Sequence, residues 1–219
     1  MTPATCLPDL CFCEAIRHTG LMQPANAYSS LFFVIAALVV LWSARGRSWF
    51  GYAYAAALIL VGLGSFWYHA ELTLLTQAFD NFGMYFVVLV PIIAMIQKRY
   101  ALRASGTLAG FILLCALSLP VILIYQGARR YEFIILILAL LALDYQWGKK
   151  LGLEHRGYLL LALATFFISG VIWILDITGV WCMPWSLWQG HAVWHILNAL
   201  AAYFLFFHYR KLGISNSRE

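Results

Sequence analysis

Two histidines stand four residues apart in the stretch Gly190-His191-Ala192-Val193-Trp194-His195. On a helix, side chains at i and i+4 share a face, so both imidazoles can reach one metal ion, as in other helical His-x-x-x-His sites. The same pair could instead bond carbonyls or lipid headgroups. Ser65 and His69 repeat that spacing in Gly62-Leu63-Gly64-Ser65-Phe66-Trp67-Tyr68-His69, and Asp80 follows in Gln77-Ala78-Phe79-Asp80-Asn81. Three histidines with one open position make a catalytic zinc pattern, and zinc lowers the pKa of its bound water to about 7. Asp80 would then be the general base, or the acceptor that holds the water or a ligand imidazole. Ser65 Oγ, one turn before His69, could donate to a developing oxyanion. Its plainer role is a bond back to its own helix. Gly62 and Gly64 also have a packing reading, because small residues let membrane helices approach closely.

The elements that must carry these residues follow from composition. Of 219 residues, 63% are apolar and 11% charged, and the mean hydropathy is +0.82. A soluble domain is about 45–50% apolar and about 25% charged. Disordered chains, disulfide-rich miniproteins and ordinary soluble enzymes are thereby excluded. The net charge of +5 forms no basic stripe, so no nucleic-acid partner is expected. The class is an all-α polytopic membrane protein with the bilayer as its surroundings.

A spanning helix needs about 20 mostly apolar residues. Seven segments qualify: 25–42, 50–68, 78–96, 107–125, 133–147, 158–177 and 191–209. The fifth is short and open to extension at either end. The expected organisation is an outer N-terminal segment 1–24, a seven-helix membrane domain 25–209 and a cytosolic tail 210–219. Residues 1–24 carry Asp9, Glu14 and Arg17 and lack a long apolar run, so they do not read as a cleaved signal peptide. Eleven of the fourteen Lys and Arg fall after the first, third, fifth and seventh spans: Arg45, Arg47, Lys98, Arg99, Arg103, Lys149, Lys150, Arg156, Arg210, Lys211 and Arg218. Arg17, Arg129 and Arg130 remain on the other side. The positive-inside rule therefore predicts the N-terminus outside and the C-terminus in the cytosol. Ser65, His69, Asp80, His191 and His195 then converge at one depth toward the outer face.

Cys6, Cys11, Cys13 and Cys182 fall on the outer side, and Cys115 lies mid-membrane. An oxidising compartment permits a bridge from Cys182 to one N-terminal cysteine, but spacing leaves free thiols equally open. Asp144 and Asp176 are further intramembrane acids; Asp176 could tie the outer loops together, but a helix-end interfacial role is the favoured expectation for it. His18, His155 and His208 are expected to be solvated or interfacial. Trp173, Trp181, Trp185, Trp188 and Trp194 cluster toward the outer face, where an aromatic belt accounts for most of them. Trp194, between the two histidines, could shape the site against a neighbouring helix.

The residues from Gly64 to His69, Asp80 eleven positions on, and Gly190-His191-Ala192-Val193-Trp194-His195-Ile196-Leu197 resemble the alkaline ceramidases. These belong to a superfamily of seven-helix membrane hydrolases with the adiponectin receptors and the lipid-remodelling proteins of GPI-anchor maturation. The resemblance implies that His69, His191 and His195 ligate Zn2+, that Asp80 activates water and that Ser65 stabilises the transition state. The implied reaction is hydrolysis of the amide of a ceramide-like membrane lipid to a sphingoid base and a fatty acid. It also implies a disulfide between Cys13 and Cys182. The calcium-binding acids of eukaryotic members are mostly missing here: the matching stretch is Cys11-Phe12-Cys13-Glu14, and Gln23 stands where a second acid is expected. Calcium wants six to eight oxygens, carboxylates among them, so no tight calcium site is expected. The alternatives are a related zinc hydrolase of another lipid amide or ester, a seven-helix receptor, a cytochrome or a proton-coupled transporter. A retinal protein is not expected, because the last span has no lysine before Lys211.

Overall fold

The structure, a computed structural model, describes residues 2–4, 12–44, 49–151, 153 and 156–212. Cys6, Asp9, Cys11, Arg45, Arg47, His155 and Arg218 lie outside the described residues. The helices run α1 Pro24–Ser30, α2 Phe32–Ala44, α3 Trp49–Glu71, α4 Leu74–Tyr100, α5 Ala104–Leu123, α6 Arg129–Trp147, α7 Arg156–Ile177 and α8 Gly190–Tyr209. A 3-10 turn, Gln126–Ala128, precedes α6. No strand occurs among the described residues, only an isolated bridge between Pro3 and Thr73.

Among the described residues, six runs are long and apolar enough to cross a membrane, with α1 and α2 together forming one of them, Pro24–Ala44. The remaining expected span, the fifth and short one at 133–147, is α6, which extends at its N-terminal end to Arg129. It has 19 residues and so reaches spanning length, but Arg129, Arg130, Glu132 and Asp144 reduce its hydropathy. The chain is an integral multi-pass membrane protein.

The first span is not one smooth helix. Ser29 and Ser30 hydroxyls donate back to the carbonyls of Asn26 and Ala27, a pattern that bends helices, and the break falls at Leu31. Helix α4 starts four residues before the expected position because Thr73 caps it. The Thr73 hydroxyl accepts from Thr76 N, and the Thr76 hydroxyl accepts from Thr73 N, a reciprocal capping box. It ends where Ala101 turns left-handed (φ 51°), a common way to stop a helix.

Close approach of α3 to α4 is the feature that matters most for the site. A Cβ on Gly64 would stand 3.1 Å from the Phe79 carbonyl, and one on Gly83 would stand 2.6 Å from the Val61 backbone. Side chains at those two positions would drive the helices apart. With glycine there, Ser65 and His69 on α3 stand beside Asp80 on α4. Further down, Phe50, Tyr54, Leu58, Met95, Phe206 and Tyr209 fill the core between α3, α4 and α8, and the Tyr54 hydroxyl donates to the Ala202 carbonyl at 3.0 Å.

At the opposite end from the histidine motifs, Asp144 is 1% exposed. Its two oxygens receive His208 Nε2 at 2.8 Å and Arg156 Nη1 at 2.6 Å. This corrects the expectation for His208: the ring is buried, drawn inward by the carboxylate rather than placed at the interface. It also assigns Asp144, which joins α6 to the start of α7 and the end of α8. Breaking a buried ionic contact by removing one partner strands the other and costs about 3–5 kcal/mol. Asp144→Ala should therefore lower the unfolding temperature of the detergent-solubilised protein well below that of Arg156→Ala, whose side chain is 47% exposed. Equal, small shifts in a fluorescence melt would contradict this ranking.

Candidate metal centre

The N-terminal segment closes the end of the bundle where the histidines lie. Ala4 N donates to Leu72 O, Met22 N to Ala70 O, Gln23 N to His69 O and Ala15 N to Pro184 O. The segment is thus tied to the α3–α4 junction and to the loop before α8. A disulfide between Cys13 and Cys182 joins positions 169 residues apart and fixes the segment covalently. Of the two alternatives left by spacing, bridge or free thiols, the bridge is the one present.

Beneath this cover, His69 from the last turn of α3 meets His191 and His195 from the first turns of α8. Their ring centroids lie 4.5 to 5.1 Å apart, and one ligand atom from each lies within 4.8 Å of the others. All three are buried. His69 Nδ1 is 2.9 Å from Gln23 Oε1 and donates to it. His195 Nδ1 is 2.9 Å from Ser29 Oγ, which already donates to the Asn26 carbonyl and so must accept from the ring. In both rings the Nδ1–H is engaged, which leaves Nε2 with its lone pair. His191 Nδ1 is buried with no hydrogen-bond partner among the described residues. Converging imidazole nitrogens, two with tautomers set by outer partners and one unpaired, fit a divalent metal of the zinc type. These three histidines could hold a metal ion.

Asp80 and Ser65 complete the cluster expected from the sequence. Ser65 Oγ lies 3.3 Å from His195 Nε2, and its hydroxyl is also the hydrogen-bonding neighbour of the Asp80 carboxyl. Both line a cavity of about 850 Å³, counted with its open part, that runs between α3, α4, α6, α7 and α8.

Further residues support the site, and one of them, Phe12, carried no signal of its own in the sequence. Phe12 stacks on His191 with centroids 3.6 Å apart, and Trp194 stacks on the same ring at 4.9 Å. Trp194 therefore shapes the site through its own helix, and it also lines the cavity. Asp176 is not an interfacial carboxylate, as expected, but 2% exposed. Its Oδ1 accepts from His191 N at 3.0 Å and its Oδ2 from Cys13 N at 3.1 Å. It caps α8 from the end of α7, a favourable place for negative charge, and Gly190 admits it because a Cβ there would lie 2.8 Å from Asp176 Cβ. Glu14 accepts from Ala25 N, Asn26 N and Gln189 Nε2 at 2.7, 2.8 and 3.0 Å. Burial pushes its carboxyl above the ordinary range, against the pull of those donors and of Arg17. Its charge is met by protein N–H groups, and its backbone carbonyl holds Gln23 Nε2 at 3.1 Å. A signal for Gln23 and Asp176 did exist: each is a polar residue inside or beside an apolar run.

Fold and site together define a polytopic helical membrane protein with a buried three-histidine cluster at one capped end. A family model described as Ceramidase matches residues 12–219. The chain belongs to the ceramidase family, and membership implies hydrolase activity. Comparison with curated protein sequences gives no match.

The Gln23–His69 bond makes a specific claim about affinity. Removing an outer partner of a ligating histidine typically lowers metal affinity 10- to 100-fold, in order-of-magnitude terms. Gln23→Leu should do so in a zinc competition titration against a chelator, while non-reducing peptide mapping still recovers the Cys13–Cys182 link. Unchanged affinity would remove Gln23 from the site.

Proposed function

We propose that the protein is a zinc-dependent intramembrane hydrolase that cleaves the N-acyl bond of ceramide-like lipids, releasing a sphingoid base and a fatty acid. The observation that carries this reading is the meeting of three buried imidazoles with Asp80 and Ser65 at the head of an apolar cavity. Family membership supports a ceramide-like lipid as the substrate. His69, His191 and His195 hold the metal. A bound zinc ion supplies Lewis acidity and lowers the pKa of its water to about 7.

The chain's own groups do the rest. Asp80 takes a proton from the attacking water and returns it to the departing amine, so one carboxylate serves as base and then acid. The Ser65 hydroxyl, placed between Asp80 and His195, steadies charge developing on the carbonyl oxygen. Water adds to the carbonyl carbon, the C–N bond breaks, and the acyl chain leaves as the acid. The apolar walls below the cluster receive the chain and exclude bulk water. Gln23, Ser29 and Asp176 fix the two helices from which the histidines project.

The orientation follows from charge. Lys98, Arg99, Lys149, Lys150, Arg156, Arg210 and Lys211 stand at helix ends remote from the histidines, and Lys98 Nζ donates to the Lys211 carbonyl at 3.2 Å. By the positive-inside rule, that end is cytosolic. The N-terminal segment 1–24 and the site then face the extracytoplasmic side, the membrane domain is 25–209, and the tail 210–219 is cytosolic.

Purified protein should contain about one zinc per chain and release fatty acid from N-acyl sphingoid bases. His195→Ala should lose both metal and turnover. Asp80→Asn should retain the metal and lose turnover by a factor on the order of 10²–10⁴, the usual contribution of a general acid–base group. Full zinc content in the histidine variant would overturn the ligand set. Retained turnover in the asparagine variant would overturn the role of Asp80. Turnover confined to other lipid amides or esters would move the substrate within the superfamily.

A further inference from the structure

The cavity below the histidines is apolar except at one place. Helix α8 contributes Asn198, Ala201, Ala202 and Leu205 to its wall. Below the cluster formed by Ser65, Asp80, Trp194 and His195, Asn198 is the one polar lining residue. A carboxamide inside a spanning helix commonly serves as glue, bonding across to a neighbouring helix. Asn198 does not do this among the described residues. Its Nδ2 donates to the Trp194 carbonyl of its own helix at 2.8 Å. That bond holds the amide by its nitrogen and leaves Oδ1, an acceptor, without a described protein partner. Packing gives no reason for an amide here, since alanine and leucine line the same wall one and two turns further on.

Position supplies the reason. Asn198 follows His195 by three residues, about 4.5 Å deeper along the helix axis, and lies on the same face. A lipid amide whose carbonyl stands at the histidines must run its first carbons past this point. The hydroxyls two or three bonds from the scissile linkage are one on the first carbon of the base, on the headgroup side, and two on the chain side: one on the second carbon of the acyl chain and one on the third carbon of the base. Each chain-side hydroxyl is a donor that suits Oδ1.

We infer that Asn198 is a specificity-determining residue whose Oδ1 accepts a hydrogen bond from a substrate hydroxyl next to the scissile amide. The inference rests on the lipid amide hydrolase reading above. A site that pairs with a substrate hydroxyl rejects an analogue lacking it, because its own polar group is left unmatched. For one neutral hydrogen bond the effect is about five- to tenfold.

The test compares three lipids in detergent–lipid micelles: an N-palmitoyl base with a 3-hydroxyl, the same base without it, and the 2-hydroxypalmitoyl amide of the deoxy base. The wild type should prefer one hydroxylated lipid to the doubly deoxy lipid by about five- to tenfold in kcat/KM, chiefly through KM. Which one it prefers identifies the source of the hydroxyl. In Asn198→Leu and Asn198→Ala the ratio should fall to about one. The alanine variant removes the amide without adding bulk and decides the matter if the leucine variant does not fold. A ratio that persists in the variants, or a wild type that cleaves all three equally, overturns the role of Asn198 and leaves the hydrolase reading standing. A wild type that cleaves none of the three overturns both.

Discussion

An imidazole has two nitrogens, and a shared centre can use only one of them. Every other part of this site depends on what holds the second. His69 gives its Nδ1 proton to Gln23 and His195 gives its own to Ser29. Both acceptors lie at the start of the first span, so the ligand geometry is only as fixed as that segment. Gln23 is in turn held by the Glu14 carbonyl, and Glu14 by the backbone of Ala25 and Asn26 and by Gln189. The Cys13–Cys182 disulfide and the Asp176 carboxylate tie the same segment to the loop before α8 and to α8 itself. The cover over the site and the support of the site are thus one hydrogen-bonded unit. In a bilayer this economy is expected, since a buried polar group without a partner is costly.

Much of the fold was legible because a membrane simplifies the code. Length and apolarity alone mark the spans at α3, α4, α5, α7 and α8, with ends displaced by a few residues where a cap such as Thr73 intervened. The histidine cluster was legible for a related reason: histidines are rare enough in such spans that one pair at helical spacing, His191 and His195, and a third, His69, one turn after Ser65, stand out. Their depth could be compared once the spans were counted. What joined them, close passage of α3 over α4, was visible only as Gly64. The partner glycine, Gly83, belongs to a different helix, and no local pattern links the two.

The remaining residues were illegible for physical reasons that differ. Phe12 and Gln23 sit in an irregular segment, where neither period 3.6 nor period 2 orders the side chains. Their contact with His191 and His69 is set by tertiary closure. Asp176 looked interfacial because it lies one residue from a helix end. Its actual partners are backbone N–H groups of Cys13 and His191, and a sequence carries no marker for a backbone donor. His208 failed in the same way. It stands among basic residues near the tail, yet its acceptor, Asp144, comes from 64 positions away.

The two ends of the bundle explain why a cavity survives between them. Helix α7 packs along α8, and α6 packs on α4 and α5, while contact between α6 and the α7–α8 pair is slight. Hydrophobic packing alone would draw those walls together, because a void forfeits dispersion contacts on both of its faces. At the end remote from the histidines, the walls are joined instead by Asp144 with Arg156 and His208. A contact between charged and polar heads at the floor sets the spacing of the helices without requiring their apolar faces to interdigitate. Above it, small residues on α7 and α8, Ala162, Ala201 and Ala202, keep the walls thin. The cavity thus lies between this polar contact at one end of the bundle and the three-histidine cluster at the other, with apolar walls. A chain entering this space would meet hydrocarbon along its length, with Asn198 as the exception, and the polar cluster at its head, an arrangement that suits a molecule with a polar linkage and a long tail.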